Sequence, residues 1–486
     1  MDRSNVFIES LYGYKYTYRN IIFKIFAFLA IIGLAIFQYT PLSQINDYDS
    51  INDLFRYPMD WTSIALPSSI AFKSAYYFNI IQLIFIIGFI PNDLKTSKWK
   101  AMDVFHVRPQ SNSEIVTGNF IGKLLVFVMI NCLWFLFSII INIAFYPEAF
   151  KLSYYLFYLI TLTFPSLVYF LGISYLVTRF IHNQGLCTII LFLLLGGISI
   201  WGSKILNGLL DPYAREFPNM FSDFIGHVSL RNYLLQRSCI LLTGIICLSL
   251  SIIYYPRIPN NKATARNCLF IVGILFSVVG GMMLFYRSEY KTTDTSRKLF
   301  VQVYEDYRDC PKAKITKHNL HVKNSTNSSI SVHSQMNLVN RNACPIPIIL
   351  FLNPGLKINS VEINGESVNF RRTQQAIFLN KELIAGETCD ISIDYEGKID
   401  NNICFLDVSP ERYHPTDANN YGIYHFGYMP AFCEKEYTLL TPECLWYPVC
   451  DAPYSMFGCR NVCFTRYSLK VEHDPHLVAI SQGEIN

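Results

Sequence analysis

The stretch FIGKLLVFVMINCLWFLFSIIINIAF, residues 120–145, decides the fold. It runs for about 26 residues with one lysine near its start and no acidic group, where a hydrocarbon core of about 30 Å asks for about 20 apolar residues in a helix. Several runs of this kind are apolar all round and leave no polar stripe to face water, so they do not read as core helices of a soluble protein. Working outward, six comparable runs lie at residues 21–37, 74–90, 154–177, 186–205, 238–254 and 268–285. The chain of 486 residues is 51% hydrophobic and 16% charged, against about 25% charged in soluble domains. That deficit falls in the first ~290 residues, and the rest has ordinary soluble composition. The reading is an α-helical polytopic membrane domain of about seven transmembrane helices, followed by a mainly antiparallel β sandwich or saddle. A net charge of +4, with no long basic run and no recognition motif, does not argue for nucleic acid, and none is expected as a partner.

Lysine and arginine set the orientation. With a cytoplasmic N-terminus, the inside segments carry Arg3, Lys15, Arg19, Lys24, Lys95, Lys98, Lys100, Arg108, Arg179, Arg257, Lys262 and Arg266. The short outside loops carry fewer, and the first is acidic through Asp47, Asp49, Asp53 and Asp60. An odd number of crossings then places everything after Arg287 outside. The first run has no small-residue cleavage site before Pro41 and reads as a retained helix. The localisation expected is a multi-pass inner or plasma membrane protein with an extracytoplasmic C-terminal domain. Residues 5–19 fit an interfacial elbow or an ordinary charged flank, Pro165 a kink in the fourth span, and residues 207–236 an external amphipathic or partly re-entrant piece. Lys24, Lys123 and Lys204 lie near helix ends, within snorkelling reach of water. No acidic residue stands at mid-membrane, which argues against a proton-coupled carrier.

Between the second and third spans the chain reads NDLKTSKWKAMDVFHVRPQSNSEIVTGNFIGKLL, residues 92–125. Pro109 suits the first turn of a helix, and Ser111 and Glu114 have capping-box spacing. A short capped helix along the membrane is expected, exposed to a cytoplasmic partner. This stretch resembles the permease subunits of type-2 ABC exporters, in which a segment of the form R-P-x-S-x-x-E-x-x-x-G-K precedes the third span and the adjoining helix couples to the ATPase. The resemblance implies that Arg108, Pro109, Ser111 and Glu114 position the ATPase-coupling helix. It also implies partners: an ABC ATPase subunit and a second permease half, as homodimer or heterodimer, in the lipid bilayer. One departure is Asn119, where that family has lysine, although Gly122-Lys123 follows. GNFIGKL lacks the spacing and the hydroxyl of a phosphate loop, so ATP is expected to be used by a partner subunit and no cofactor by this chain. The organisation expected is a six-span permease-like domain over 1–255, a seventh helix with its flanks over 256–290, and an extracytoplasmic β-domain over 291–486.

From residue 299 short alternating runs predict strands at 315–322, 329–338, 356–363, 367–370 and 389–395, with Asn364-Gly365 as a type I′ turn. The segments LNPGLKINSVEING, IDYEGKI, WYPVCDAP and FTRYSLKVEHDPHLVAISQGE resemble the N-terminal β-domain of aminopeptidase N family zinc peptidases, the last as a strand pair closed by a glycine turn. No H-E-x-x-H occurs, and His473 and His476 flank Pro475 at the wrong spacing for two ligands on one helical turn. The chain stops at Asn486, about where that family's catalytic domain would begin, so either the zinc domain is missing or the β-domain serves without catalysis. No catalytic residue and no metal ligand is therefore expected, and the function expected is a permease driven by a separate ATPase. The alternatives are a membrane-anchored peptidase fragment and a membrane sensor or binding protein. Among nine cysteines of this region, Cys444, Cys450, Cys459 and Cys463 are candidates for disulfides, with free thiols and metal as alternatives and no pairing legible from spacing.

Overall fold

The computed structural model describes residues 3–45, 66–99, 110–145, 147–181, 183–203, 205–215, 217, 219, 221–222, 226–227, 230–255, 262–325, 329–404, 406, 437–451 and 465–484. The chain divides into two compact units, one of residues 1–221 and 229–288, the other of 222–228 and 289–486.

The first unit is helical. Its elements are α1 (Arg3–Arg19), α2 (Ile21–Ile45), α3 (Leu66–Trp99), α4 (Asn112–Phe145), α5 (Leu152–Tyr158), α6 (Phe164–Phe180), α7 (Gln184–Trp201) and α8 (Leu230–Ile253). The long helix α9 (Lys262–Tyr307) carries the chain into the second unit. Among the described residues six helices are long and apolar enough to cross a membrane. A seventh counts if α1 and the described start of α2, bent by 65°, form one span. Pro165 does interrupt the fourth apolar run. The break is taken up by a π-helical stretch, Leu159–Thr163, that joins α5 to α6, as expected where a proline removes a donor from the ladder. The apolar helices bury one face against a shared core of Phe23, Phe78, Phe127, Trp134, Phe170 and Tyr175 and leave Ile140, Phe192, Leu193, Phe276 and Leu284 exposed.

Two expectations change here. The Ser111–Glu114 cap does not open a short separate helix. It opens α4 itself, which runs unbroken for 34 residues into the apolar stretch. Helix α9 does not stop near residue 285 but runs to Tyr307, so residues 299–307 are helix rather than the start of the strands. Its last turns place Phe300 and Val303 in the core of the second unit, a three-residue spacing that keeps both on one helical face.

The second unit holds β1 (Lys314–Ser325), β2 (Ser329–Val339), β3 (Ile346–Phe351), β4 (Leu356–Ile363), β5 (Glu366–Ser367), β6 (Phe370–Thr373), β7 (Ala376–Leu383), β8 (Thr388–Gly397) and β9 (Arg466–Glu472). One sheet has the order β9-β1-β2-β8-β4-β5, the other β3-β7-β6. Strict alternation of buried and exposed residues along β2 and β8 turns Val332, Met336, Leu338, Ile391, Ile393 and Tyr395 into a core shared with Ile348, Leu350 and Ile377 of the smaller sheet. Asn364 and Gly365 have φ of 54° and 85°, the two positive values that a type I′ turn needs. The unit is mixed rather than wholly antiparallel, because β9 lies parallel to β1. Of the expected strand pair over residues 464–484, the described residues form β9 alone: residues 473–484 form no strand, and Val478 and Ile480 are exposed.

Candidate functional site

At the start of α4 the sequence S-N-S-E closes a reciprocal cap. Ser111 Oγ accepts from the Glu114 N–H at 3.3 Å, and Glu114 Oε2 accepts from the Ser111 N–H at 3.0 Å. The same carboxylate oxygen accepts from Asn5 Nδ2 of α1 at 3.3 Å, and Glu114 is buried. Arg108 and Pro109 lie outside the described residues.

Helix α1 binds α4 through its small residues. Ser10, Gly13 and Thr17 are its buried positions, while Phe7, Ile8 and Tyr18 stay exposed. The contact brings the two backbones together: a Cβ on Gly118 would lie 2.9 Å from the Val6 carbonyl, and one on Gly122 would lie 2.3 Å from the Ser10 carbonyl. The segment GNFIG is thus a small-xxx-small helix contact. Lys123, expected to snorkel, is instead buried at 1% exposure. Its Nζ donates to Asn119 Oδ1 at 2.5 Å, and Tyr175 Oη donates to the same oxygen at 2.6 Å. Asn119, the departure from the permease pattern, is thus one partner of this lysine. Lys24 is exposed on α2, and Lys204 lies outside the described residues.

Sequence reasoning missed a second buried cluster. Asp211, at 0% exposure, accepts from the N–H groups of Tyr213 and Arg215 and pairs with the Arg215 guanidinium at 3.1 Å. Arg237, near the start of α8 and 2% exposed, donates to the carbonyls of Asp211 and Pro212 at 2.5 and 2.8 Å and to Gln236 Oε1 at 2.6 Å. Gln236 Nε2 in turn donates to the Gly208 carbonyl at 2.9 Å. These bonds hold a compact segment with Leu209, Tyr213, Ala214 and Phe217 buried, within the stretch expected as an external amphipathic or partly re-entrant piece. Every Arg237 donor contact on this segment goes to a backbone carbonyl, so the guanidinium pins the backbone there. The signal was present as Gln236-Arg237 at the head of an apolar run, but no helix-length rule weighs a residue there.

In the second unit the peptidase-like motifs do structural work. Asn353, at 0% exposure, donates to the carbonyls of Asp400 and Cys444 at 3.0 and 2.7 Å and accepts from the N–H groups of Gly355 and Asp400 at 2.9 and 2.8 Å. Val449 exchanges two backbone bonds with Phe351, so the WYPVC stretch runs beside the end of β3. On the outer sheet face Asp394 accepts from Ser360 at 2.7 Å and bonds His333 at 2.6 Å. Here the carboxylate stands between the hydroxyl and the imidazole, so the ring does not reach the serine as a base and this is not a nucleophilic triad. His473 and His476 are exposed loop residues. Among the described residues no three His, Cys, Asp or Glu side chains converge as a metal site. Cys444 and Cys450 are buried in the core, and Cys459 and Cys463 lie outside the described residues.

No family model matches the chain, and no curated protein matches it. Among solved structures it is similar to the M1 zinc metallopeptidase of Deinococcus radiodurans, at 21% identity over 18% of this chain and 21% of that one, with a TM-score of 0.17. It is also similar to native leukotriene A4 hydrolase from Saccharomyces cerevisiae, at 17% identity over 18% of this chain and 15% of that one, with a TM-score of 0.15. The match spans about a fifth of the metallopeptidase, and a likeness of that extent assigns no family. None of the comparisons supports the permease resemblance.

Proposed function

We propose that the chain is the membrane permease subunit of a type-2 ABC exporter, driven by a separate ATPase subunit, with a noncatalytic outward-facing β-domain. The working assembly would contain a second permease half and two ATPases, in an inner or plasma membrane with the N-terminus cytoplasmic. The observation that carries this reading is the start of α4. The Ser111–Glu114 cap is joined to α1 through Asn5, and α1 lies against the α4 backbone at Gly118 and Gly122. A push on that end is delivered to two packed helices together, not to a loop. Arg108 and Pro109 lead into the cap in the chain and complete the segment.

The test is co-purification of the chain with an ATPase subunit, followed by ATP turnover of the complex. Ser111→Ala and Glu114→Gln are expected to leave the ATPase bound and to lower turnover, with Glu114→Asp recovering part of it. Failure of any ATPase to co-purify, or turnover unchanged in both variants, would overturn the coupling role.

A further inference from the structure

The seam between α3 and α4 is more polar than a helix contact in lipid requires. Ser74, Asn79 and Gln82 of α3 and Asn131, Ser138 and Asn142 of α4 are all buried, none above 6% exposure. On α4 the three follow at intervals of seven and four residues, which keeps them on one helical face over about 16 Å, more than half of a bilayer core. Three amides form a relay: Gln82 Nε2 donates to Asn79 Oδ1, Asn131 Nδ2 donates to Gln82 Oε1 at 2.9 Å, and the same Nδ2 reaches the Phe127 carbonyl at 2.7 Å. Farther along the same face of α4, Asn142 Nδ2 donates to Tyr155 Oη of α5 at 3.1 Å.

Each asparagine has one atom left over. Asn79 Nδ2, Asn131 Oδ1 and Asn142 Oδ1 are buried with no protein partner. Turning the amides over does not help the relay, because both ends of Gln82 are already used and the two asparagines at its ends must each keep one atom spare. In hydrocarbon such atoms are costly unless something supplies the missing bond. The leftovers are uncharged amide atoms at separate points along α4 and α3, each of which a small neutral molecule that donates and accepts can bond, whichever way the amide is turned. We propose that the polar face of α4, from its contact with α3 at Asn79 and Asn131 to its contact with α5 at Asn142, is a hydrated site within the membrane-spanning unit, where water bonds these three amides. It thereby offers a polar path to small uncharged hydrogen-bonding solutes. The proposal rests on α3 and α4 being spans and not on coupling to an ATPase, so either reading can fail without the other.

Cysteine reactivity in the full chain in proteoliposomes tests it, because a thiol reacts with a water-soluble methanethiosulfonate only as the thiolate, which needs water. Cys132, beside Asn131 and exposed on the α4 surface, is the internal lipid-facing control. Asn79→Cys and Asn142→Cys are read peptide by peptide by mass spectrometry. Modification at least about tenfold faster than at Cys132 is expected. Ser138→Cys, a change of almost no volume on the same face, serves if an asparagine variant does not fold. Seam thiols that react as slowly as Cys132 mean a dry seam and overturn the proposal.

Discussion

His318 should make the β-sheet unit acid-labile. It sits on β1 at 2% exposure, with Nε2 2.9 Å from Ser334 Oγ and the rings of Tyr447 and Tyr467 edge-on at 5.5 and 6.1 Å. Burial pushes its pKa from 6.5 down to about 4. Between those values the unfolded chain holds one more proton than the folded one, so stability is complete above pH 6.5 and falls as the pH drops toward 4. At about 1.4 kcal/mol per pH unit the loss across the window is about 3 kcal/mol. Asp394 acts elsewhere: partial burial alone would raise its pKa, but bonds from His333 and Ser360 hold it below 3.8, so its contribution is present above that value and lost only below it. Met336 pairs with His318 across the β1–β2 ladder and is buried. Its oxidation by peroxide over a urea series, in the full chain between pH 7.5 and 4.5, therefore reports opening of the sheet at this residue. The urea midpoint should fall steadily below pH 6.5 in the natural chain and much less in His318→Gln. Equal pH dependence in the two would refute the reasoning.

Asn353→Ala removes four bonds from a buried amide and strands the Asp400 and Cys444 carbonyls; a loss of about 3 kcal/mol in the second unit is expected, read by the same oxidation series. Gly122→Val drives a branched side chain into the Ser10 carbonyl, so α1 should lift from α4 at a cost of about 1–3 kcal/mol, seen as faster trypsin cleavage at Lys15 and Arg19. Arg237→Met leaves the Asp211 and Pro212 carbonyls without their guanidinium donor and should lower the detergent unfolding temperature of the chain. Arg237→Lys, with fewer donors, should fall between the two.

Much of the local structure was legible because it depends on neighbours in sequence. The apolar runs locate the span helices by length and composition, the S-x-x-E spacing announced the α4 cap, and Asn364-Gly365 announced the hairpin turn. What was misread or missed shares a cause. Lys123 near a helix end looked free to reach water, yet Asn119 and Tyr175 enclose it. Strand β3, IPIILF, is a buried apolar run carrying a proline, and only its place at the edge of the small sheet makes Pro347 acceptable. The seam amides on α3 and α4 lie 49 residues apart in the case of Gln82 and Asn131, and no pattern along the chain joins them.

By itself the sequence determined that this protein has a helical part apolar enough for a bilayer and a separate strand-rich part, since both follow from hydropathy and periodicity over ten to thirty residues. Tertiary structure alone decided that the cap opens a long helix braced by α1, that Arg237 locks a buried loop, that β9 joins the sheet in parallel, and that the α3–α4 seam keeps polar atoms to spare. Each of those depends on which distant side chains meet, and hydrogen bonds between distant residues leave no period in the sequence.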